Sequence, residues 1–281
     1  MNPFTLTNIA HATPTHSPLD ALQFDAHRSK SLYVSRVRKT QPFVCCDGKT
    51  YWIKHYAEQG LAAEVIGGRL AALVGVGPMT RVIRVDPMIL PHDDDLNSFG
   101  GTLIGSEDIQ GPVIVDYNIG SVRRTPCPLG LLGPSLCRYL GIMGYNPRWV
   151  NGAEWSLVIA FLTWLGMLDR QVLVRLTDSR LFTIDYGACF GDVSGASAAN
   201  MGIIMPMLEG VDPQLAKNVA HVREAIERIE AVSDTDIVTA VAGVPDEHGW
   251  EGSLRRCAAI GQWLSARRGL LRDAMENWAH S

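Results

Sequence analysis

Hydrophobic and polar positions follow one another along the chain in blocks whose period changes several times. Pro42–Cys46 and Tyr51–Tyr56 are β-prone runs separated by Asp47-Gly48-Lys49, and an Asp-Gly between two such runs signals a hairpin. From Leu61 the period lengthens. Leu61, Val65, Leu70 and Leu73 recur at helical spacing, which predicts a helix over Leu61–Val74 closed by Gly75–Pro78. Leu32–Val37, Thr80–Val85 and Pro112–Asp116 read as further strands. Trp155–Leu168 is apolar almost throughout and predicts a buried helix, with Trp149, Trp155 and Trp164 in its surroundings as core. Two short β runs follow, Val172–Leu176 and Leu181–Asp185, separated by Thr177-Asp178-Ser179-Arg180. The rest reads as helical: Pro213–Ala231, Asp234–Ala242 and Leu254–Trp278.

Between these blocks the pattern weakens twice. Residues 1–30 carry Pro, Thr, His and Ser with little periodicity, so 1–24 is expected to be a flexible arm. Pro91–Gly111 is rich in Asp, Gly and Ser and marks a boundary. Its acid run, Asp93-Asp94-Asp95, reads as a solvated loop, because a cation site needs spaced, converging oxygens. The expected fold is α/β (α+β) and two-lobed. A small lobe over 25–105 is an antiparallel sheet with the Leu61–Val74 helix against it, and a larger, mainly helical lobe over 106–281 carries the 172–185 hairpin.

Composition narrows the function. At 281 residues, 47% apolar and 19% charged, the chain can bury a sizeable core and is not of disordered type. Its net charge of −4 speaks against a general nucleic-acid binder, which shows a basic patch or stripe. The Trp155–Leu168 run is too short for a bilayer, which needs roughly 20 residues, so no membrane partner is expected. Met1–Ala10 lacks a basic segment followed by a long apolar run, so a cytoplasmic location with free thiols is expected. The six cysteines form no C-x-x-C, and neither a Walker loop nor a Gly-x-Ser-x-Gly elbow occurs.

Two constellations carry chemistry. If 177–180 form the hairpin loop, Val172 faces Asp185, and Asp169 lies just before the first strand. Two carboxylates then meet at the open end of one hairpin. Such a pair can divide the labour of phosphoryl transfer, one orienting a hydroxyl and the other holding Mg²⁺ against phosphates. The second constellation is Lys54, on the strand face of Trp52 and Tyr56, with Glu64 ten residues on at the Leu61/Val65 side of an apolar helix. A carboxylate there calls for a partner, because burying it unpaired is costly. Each feature also has a plain structural reading: a capped helix end, a turn, an exposed lysine, a helix-edge glutamate.

Their order along the chain is strand Lys, helix Glu, Asp-Arg, then Ile-Asp-x-Gly. In this the chain resembles the HipA-like kinases, an atypical branch of the protein-kinase-like and phosphatidylinositol-kinase-like fold. The matching pieces are Gly48–Lys54, Ala62-Ala63-Glu64 with Arg69-Leu70-Ala71, Leu168-Asp169-Arg170, and Leu181–Ala188, with Val244-Pro245-Asp246-Glu247 and the helix after it as the domain's end. The resemblance implies a kinase-like fold and an ATP- and Mg²⁺-dependent phosphotransferase acting on a protein or small hydroxyl compound. Lys54 would contact the ATP phosphates, Glu64 would anchor Lys54, Asp169 would be the catalytic aspartate and Asp185 the metal ligand. One departure stands out. The family places Asn before the Asp-Arg and again after it, where this chain has Met167 and Val172–Val174, and apolar side chains cannot coordinate Mg²⁺. A pseudokinase that binds nucleotide or a protein partner without phosphate transfer is the alternative. An α/β binding protein with no chemistry is a third reading.

Overall fold

Alternating residues in five strands build the first half of the molecule. The computed structural model describes residues 2–26, 40–54, 60–90, 101–111, 113–116, 152–167, 171–175, 177–178, 180–190, 216–246 and 252–281. Its first strands are β1 (Leu19–Phe24), β2 (Thr40–Cys45), β3 (Thr50–Lys54), β4 (Thr80–Val85) and β5 (Gly101–Glu107), closed into a barrel in the order β1-β2-β3-β5-β4. Leu19, Phe43, Cys45, Tyr51, Ile53 and Ile83 fill its interior. The expected hairpin joins β2 to β3, with Val44 opposite Thr50 and Thr40 opposite Lys54. The sheet is not purely antiparallel, as the sequence had suggested. β1 runs parallel to β4, Leu19 opposite Ile83 and Asp20 opposite Arg84. That pairing joins what would be the two exposed edges of an open sheet.

β1 lies in the segment expected to be a flexible arm. Its alternation is broken by a bulge between Ala21 and Gln23, and Leu22 is left exposed, so the strand carries almost no period-2 signal. The same segment forms a short helix, α1 (Leu6–His11), capped by Thr5, whose Oγ1 accepts the Asn8 amide at 3.1 Å. Phe4 and Ile9 are buried there.

Between barrel and helices lies α2 (Leu61–Val74), at the predicted limits. Its burial is wider than one stripe. Val65 packs on Val82 and Ile104, while Ala63, Ile66, Leu70 and Val74 join the main core on other sides. Leu73, expected in the apolar face, is 51% exposed. The second half is built on α3 (Gly152–Leu165), which is buried along nearly its whole length. Around it pack α4 (Val219–Glu230), α5 (Asp234–Val241) and α6 (Leu254–His280). The buried Arg267 donates to the carbonyls of Trp164 at 3.0 Å and Thr163 at 2.6 Å, satisfying the end of α3.

β6 (Val113–Asp116), β7 (Gln171–Arg175) and β8 (Leu181–Ile184) form a second, antiparallel sheet. Its hairpin register differs from the expected one by two residues. Val172 faces Thr183 and Val174 faces Leu181, rather than Val172 facing Asp185. The Arg175 amide donates to the Arg180 carbonyl at 2.9 Å, which carries the same register to the end of β7. A shift of two preserves which face each side chain occupies. Leu32–Val37, the acid run, Trp149 and Asp169 lie outside the described residues. Among the described residues no helix is long and apolar enough to cross a membrane.

Candidate functional site

Strand alternation decides where Lys54 goes. Tyr51 and Ile53 enter the barrel, so Trp52 and Lys54 leave it on the side of α2. α2 begins at Gly60, a left-handed residue (φ 96) packed so closely on Gly187 that a Cβ would lie 2.4 Å from the Gly187 carbonyl oxygen. One turn later comes Glu64, in the first turn, where a carboxylate is favoured by the helix dipole. Asp185 follows β8 directly, in the left-handed region at φ 65, which an aspartate tolerates better than most residues.

Three elements thus converge on one ammonium. Lys54 Nζ lies 2.9 Å from Glu64 Oε1 and 2.8 Å from Asp185 Oδ1. The Lys54 side chain is 14% exposed, that of Glu64 4% and that of Asp185 34%. Burial pulls Lys54 down, but the carboxylates of Glu64 and Asp185 more than reverse this and hold its ammonium above the ordinary lysine range. Glu64 is pushed up by its burial, with Lys54 opposing. Two carboxylates share one cation, and the fully buried one bears the desolvation.

The segment after Asp185 is held as firmly as the pair. Tyr186 is buried, and its hydroxyl lies 2.6 Å from both the Thr183 carbonyl oxygen and Thr183 Oγ1. The Thr183 amide donates to the Val76 carbonyl at 2.7 Å, tying β8 to the chain leaving α2. Gly67 completes the docking: a Cβ there would lie 2.5 Å from Tyr186 Cβ. On the neighbouring helix face a Cβ on Gly68 would meet Thr80 Oγ1 at 1.9 Å. The Gly67-Gly68 step lets α2 approach both partners. It was the unread signal in the sequence, since glycine inside a helical pattern points to close packing.

The structure therefore brings together Lys54, Glu64 and Asp185. Asp169 falls outside the described residues, while Met167 just before it is buried in the core. Next to Lys54 on the same strand face, Trp52 Nε1 donates to Asp108 Oδ1 at 2.8 Å, which the sequence reading did not foresee.

No family model matches the chain, and no curated protein matches it. Among solved structures it is similar to the Helicobacter pylori proinflammatory kinase CtkA, with a TM-score of 0.50 and 12% identity over 86% of this chain and 94% of that one. The fold is kinase-like. At that identity the likeness is one of fold alone. Two structures of the Golgi casein kinase, one with Mn/ADP bound, align more remotely. Both have a TM-score of 0.43, at 9% and 10% identity, and cover 96% of this chain and 74% of theirs.

In this kinase-like fold the donor set can be tested against a nucleotide and its divalent cation. An ammonium has three N–H donors; two meet Glu64 and Asp185, leaving a third for a phosphate oxygen. Two carboxylates around one ammonium leave an excess of negative charge, which suits a hard cation. Asp185 has a partly exposed carboxylate to offer, and Glu64 Oε2 is a buried oxygen with no hydrogen-bond partner among the described residues. These residues fit a cation whose remaining ligands are phosphate oxygens and water. Among the described residues no group of three or more His, Cys, Asp or Glu could hold a metal unaided.

Proposed function

We propose that the chain is an ATP-dependent phosphotransferase of the HipA-like type, acting on a protein or small hydroxyl substrate. In this reading the barrel with α2 is the small lobe and the helical body with the β6–β8 sheet is the large one. The observation that carries it is the Lys54 ammonium held at 2.9 Å from Glu64 and 2.8 Å from Asp185 by three separate elements. Lys54 binds phosphate oxygens of the nucleotide, and Glu64 keeps it aimed. Asp185 holds Mg²⁺, which when bound neutralises charge on the phosphates. Asp169 orients the attacking hydroxyl and accepts its proton. Cys45, Cys46, Cys189 and Cys257 are free thiols, which suits a reducing cytoplasm.

The test is phosphate transfer, autophosphorylation included, by the wild type, Asp169→Ala and Asp185→Ala. Transfer by the wild type and its loss in both variants is expected. Equal behaviour of all three would remove these residues from the chemistry. A second reading, a nucleotide-binding pseudokinase, is favoured by buried Met167 and Val172, which offer no oxygen near the Asp-Arg step. Mg²⁺-dependent stabilisation by ATP without turnover, about 2.7 kcal/mol at a hundredfold excess over Kd, would support it, and metal-dependent turnover would reject it.

A further inference from the structure

Glu64 can aim Lys54 only if α2 neither rolls nor slides, and beside the glycine contacts a buried polar contact elsewhere on the helix opposes both. Arg69 is 2% exposed, and its Nη1 donates to the carbonyls of Ala240 at 2.8 Å and Ala242 at 2.7 Å, at the C-terminal end of α5. Last-turn carbonyls are unpaired within their own helix and carry partial negative charge, so a guanidinium there is well placed. Five residues separate Glu64 from Arg69, about 140° around the axis and about 7.5 Å along it. Two polar contacts so disposed add to the close packing of Gly67 and Gly68 in fixing the rotation and the axial position of the helix.

The anchor is itself rigid. Ser233 and Asp236 form a reciprocal cap at the start of α5, and Asp234 accepts from Arg268 at 2.7 Å and Ser265 at 2.8 Å on α6. Its far end is covered by the N-terminal segment. The Thr15 amide donates to the Thr239 carbonyl at 3.2 Å, and Pro14 lies against Gly243. Arg69 Nε has no hydrogen-bond partner among the described residues. A buried donor left open is a cost, and the position keeps it for the sake of the two carbonyls that Nη1 reaches.

From this we infer that Arg69 is a positioning residue, which sets the Glu64–Lys54 pair by locking α2 onto the C-terminal end of α5. The inference rests on the proposed nucleotide site for one of its readouts and is independent of it for the other. Arg69→Lys keeps the charge but replaces the long, planar guanidinium, whose Nη1 reaches both carbonyls, by a compact ammonium of shorter reach. It is expected to weaken Mg²⁺-ATP binding on the order of fivefold, and to have no further effect in the Lys54→Met background, because the pair it serves is then gone. Should Arg69→Lys not be recoverable as folded protein, Arg69→Gln carries the same comparison. Unchanged nucleotide affinity in folded Arg69→Lys, or an equal further loss on top of Lys54→Met, would overturn the inference.

The second readout needs no nucleotide. In urea unfolding, the stability losses of Arg69→Lys and Lys54→Met should be non-additive, and amide exchange over Glu64–Leu70 should quicken in Arg69→Lys while α4 is unchanged. Strict additivity with unchanged exchange along α2 would mean that Arg69 is packing alone. A wild type that binds no ATP but shows the non-additivity would sink the functional reading and leave the positioning role standing.

Discussion

Helices α2 and α4 are of similar length and obey opposite rules. In α4 the buried residues are Val222, Ala225, Ile226 and Ile229, spaced for one face, with Arg223, Glu224, Glu227 and Glu230 left to solvent. In α2 burial runs almost round the helix and takes in Glu64 and Arg69. α4 meets the rest of the protein on one side, and its sequence says so. α2 lies between the barrel, the segment after β8 and the end of α5, so no single stripe can describe it. The polar residues that break its pattern are the ones with specific partners. A helix whose pattern and burial disagree is where chemistry is expected.

Substitutions should separate the two helices. The largest loss of stability is expected from Ile226→Ala, about 2–5 kcal/mol from a fully buried position, with the ATP affinity of the folded protein unchanged. Urea unfolding and calorimetry check the two halves of that statement. An equal loss of affinity would mean that α4 reaches the site.

Next comes Lys54→Met, on the order of 3 kcal/mol at neutral pH, because it leaves two neighbouring carboxylates without their cation. This loss should depend on pH with a definite sign. Glu64 binds its proton more tightly folded than unfolded, so protonation favours the fold, and that contribution disappears as pH rises through the raised value. Without Lys54 to oppose it the effect grows, so the deficit should be larger at pH 8 than at pH 5. Urea midpoints at both pH values test this, and a deficit that shrinks with rising pH would contradict the buried pair.

Gly67→Ala should cost about 1–3 kcal/mol by overpacking, despite the better helix propensity of alanine, because its Cβ would sit 2.5 Å from Tyr186 Cβ. It should also weaken ATP binding, since Tyr186 follows Asp185 directly. The smallest effect belongs to Gly269→Ala on α6, where nothing lies within 4 Å of a new Cβ. There the propensity gain stands alone, up to about 1 kcal/mol of added stability. Opposite signs for these two Gly→Ala changes are the sharpest small-scale contrast between a helix face docked closely on its neighbours and one with open space beside it.

What the sequence revealed follows the same division. The β2–β3 hairpin, α2 and the C-terminal helices carry a turn signal or a helical period, α3 carries an unbroken apolar run, and all were legible. β1 was not, because a bulge interrupts its alternation after two inward residues, and barrel closure by a parallel pairing leaves no local trace. α1 is only six residues long and depends on Phe4 and Ile9 packing far along the chain. Of the candidate site, Lys54, Glu64 and Asp185 were singled out by their order along the chain, and of the three only Glu64 goes against its local pattern, as a carboxylate on an apolar helix face. Arg69 was noted only as part of a resemblance. Its partners are backbone carbonyls 171 and 173 residues away, and no side-chain pattern announces those.

The central claim is that Lys54, held by Glu64 beside Asp185, makes a nucleotide site. Its most direct test is calorimetric titration of Mg²⁺-ATP into the wild type, Lys54→Met, Glu64→Gln and the double variant. Clear binding by the wild type is expected, with the larger loss in Lys54→Met and the smaller in Glu64→Gln. The double variant should lose less than the sum, with a coupling of about 0.5–3 kcal/mol between contacting residues. Strictly additive losses, or affinity unchanged in all four proteins, would contradict the account.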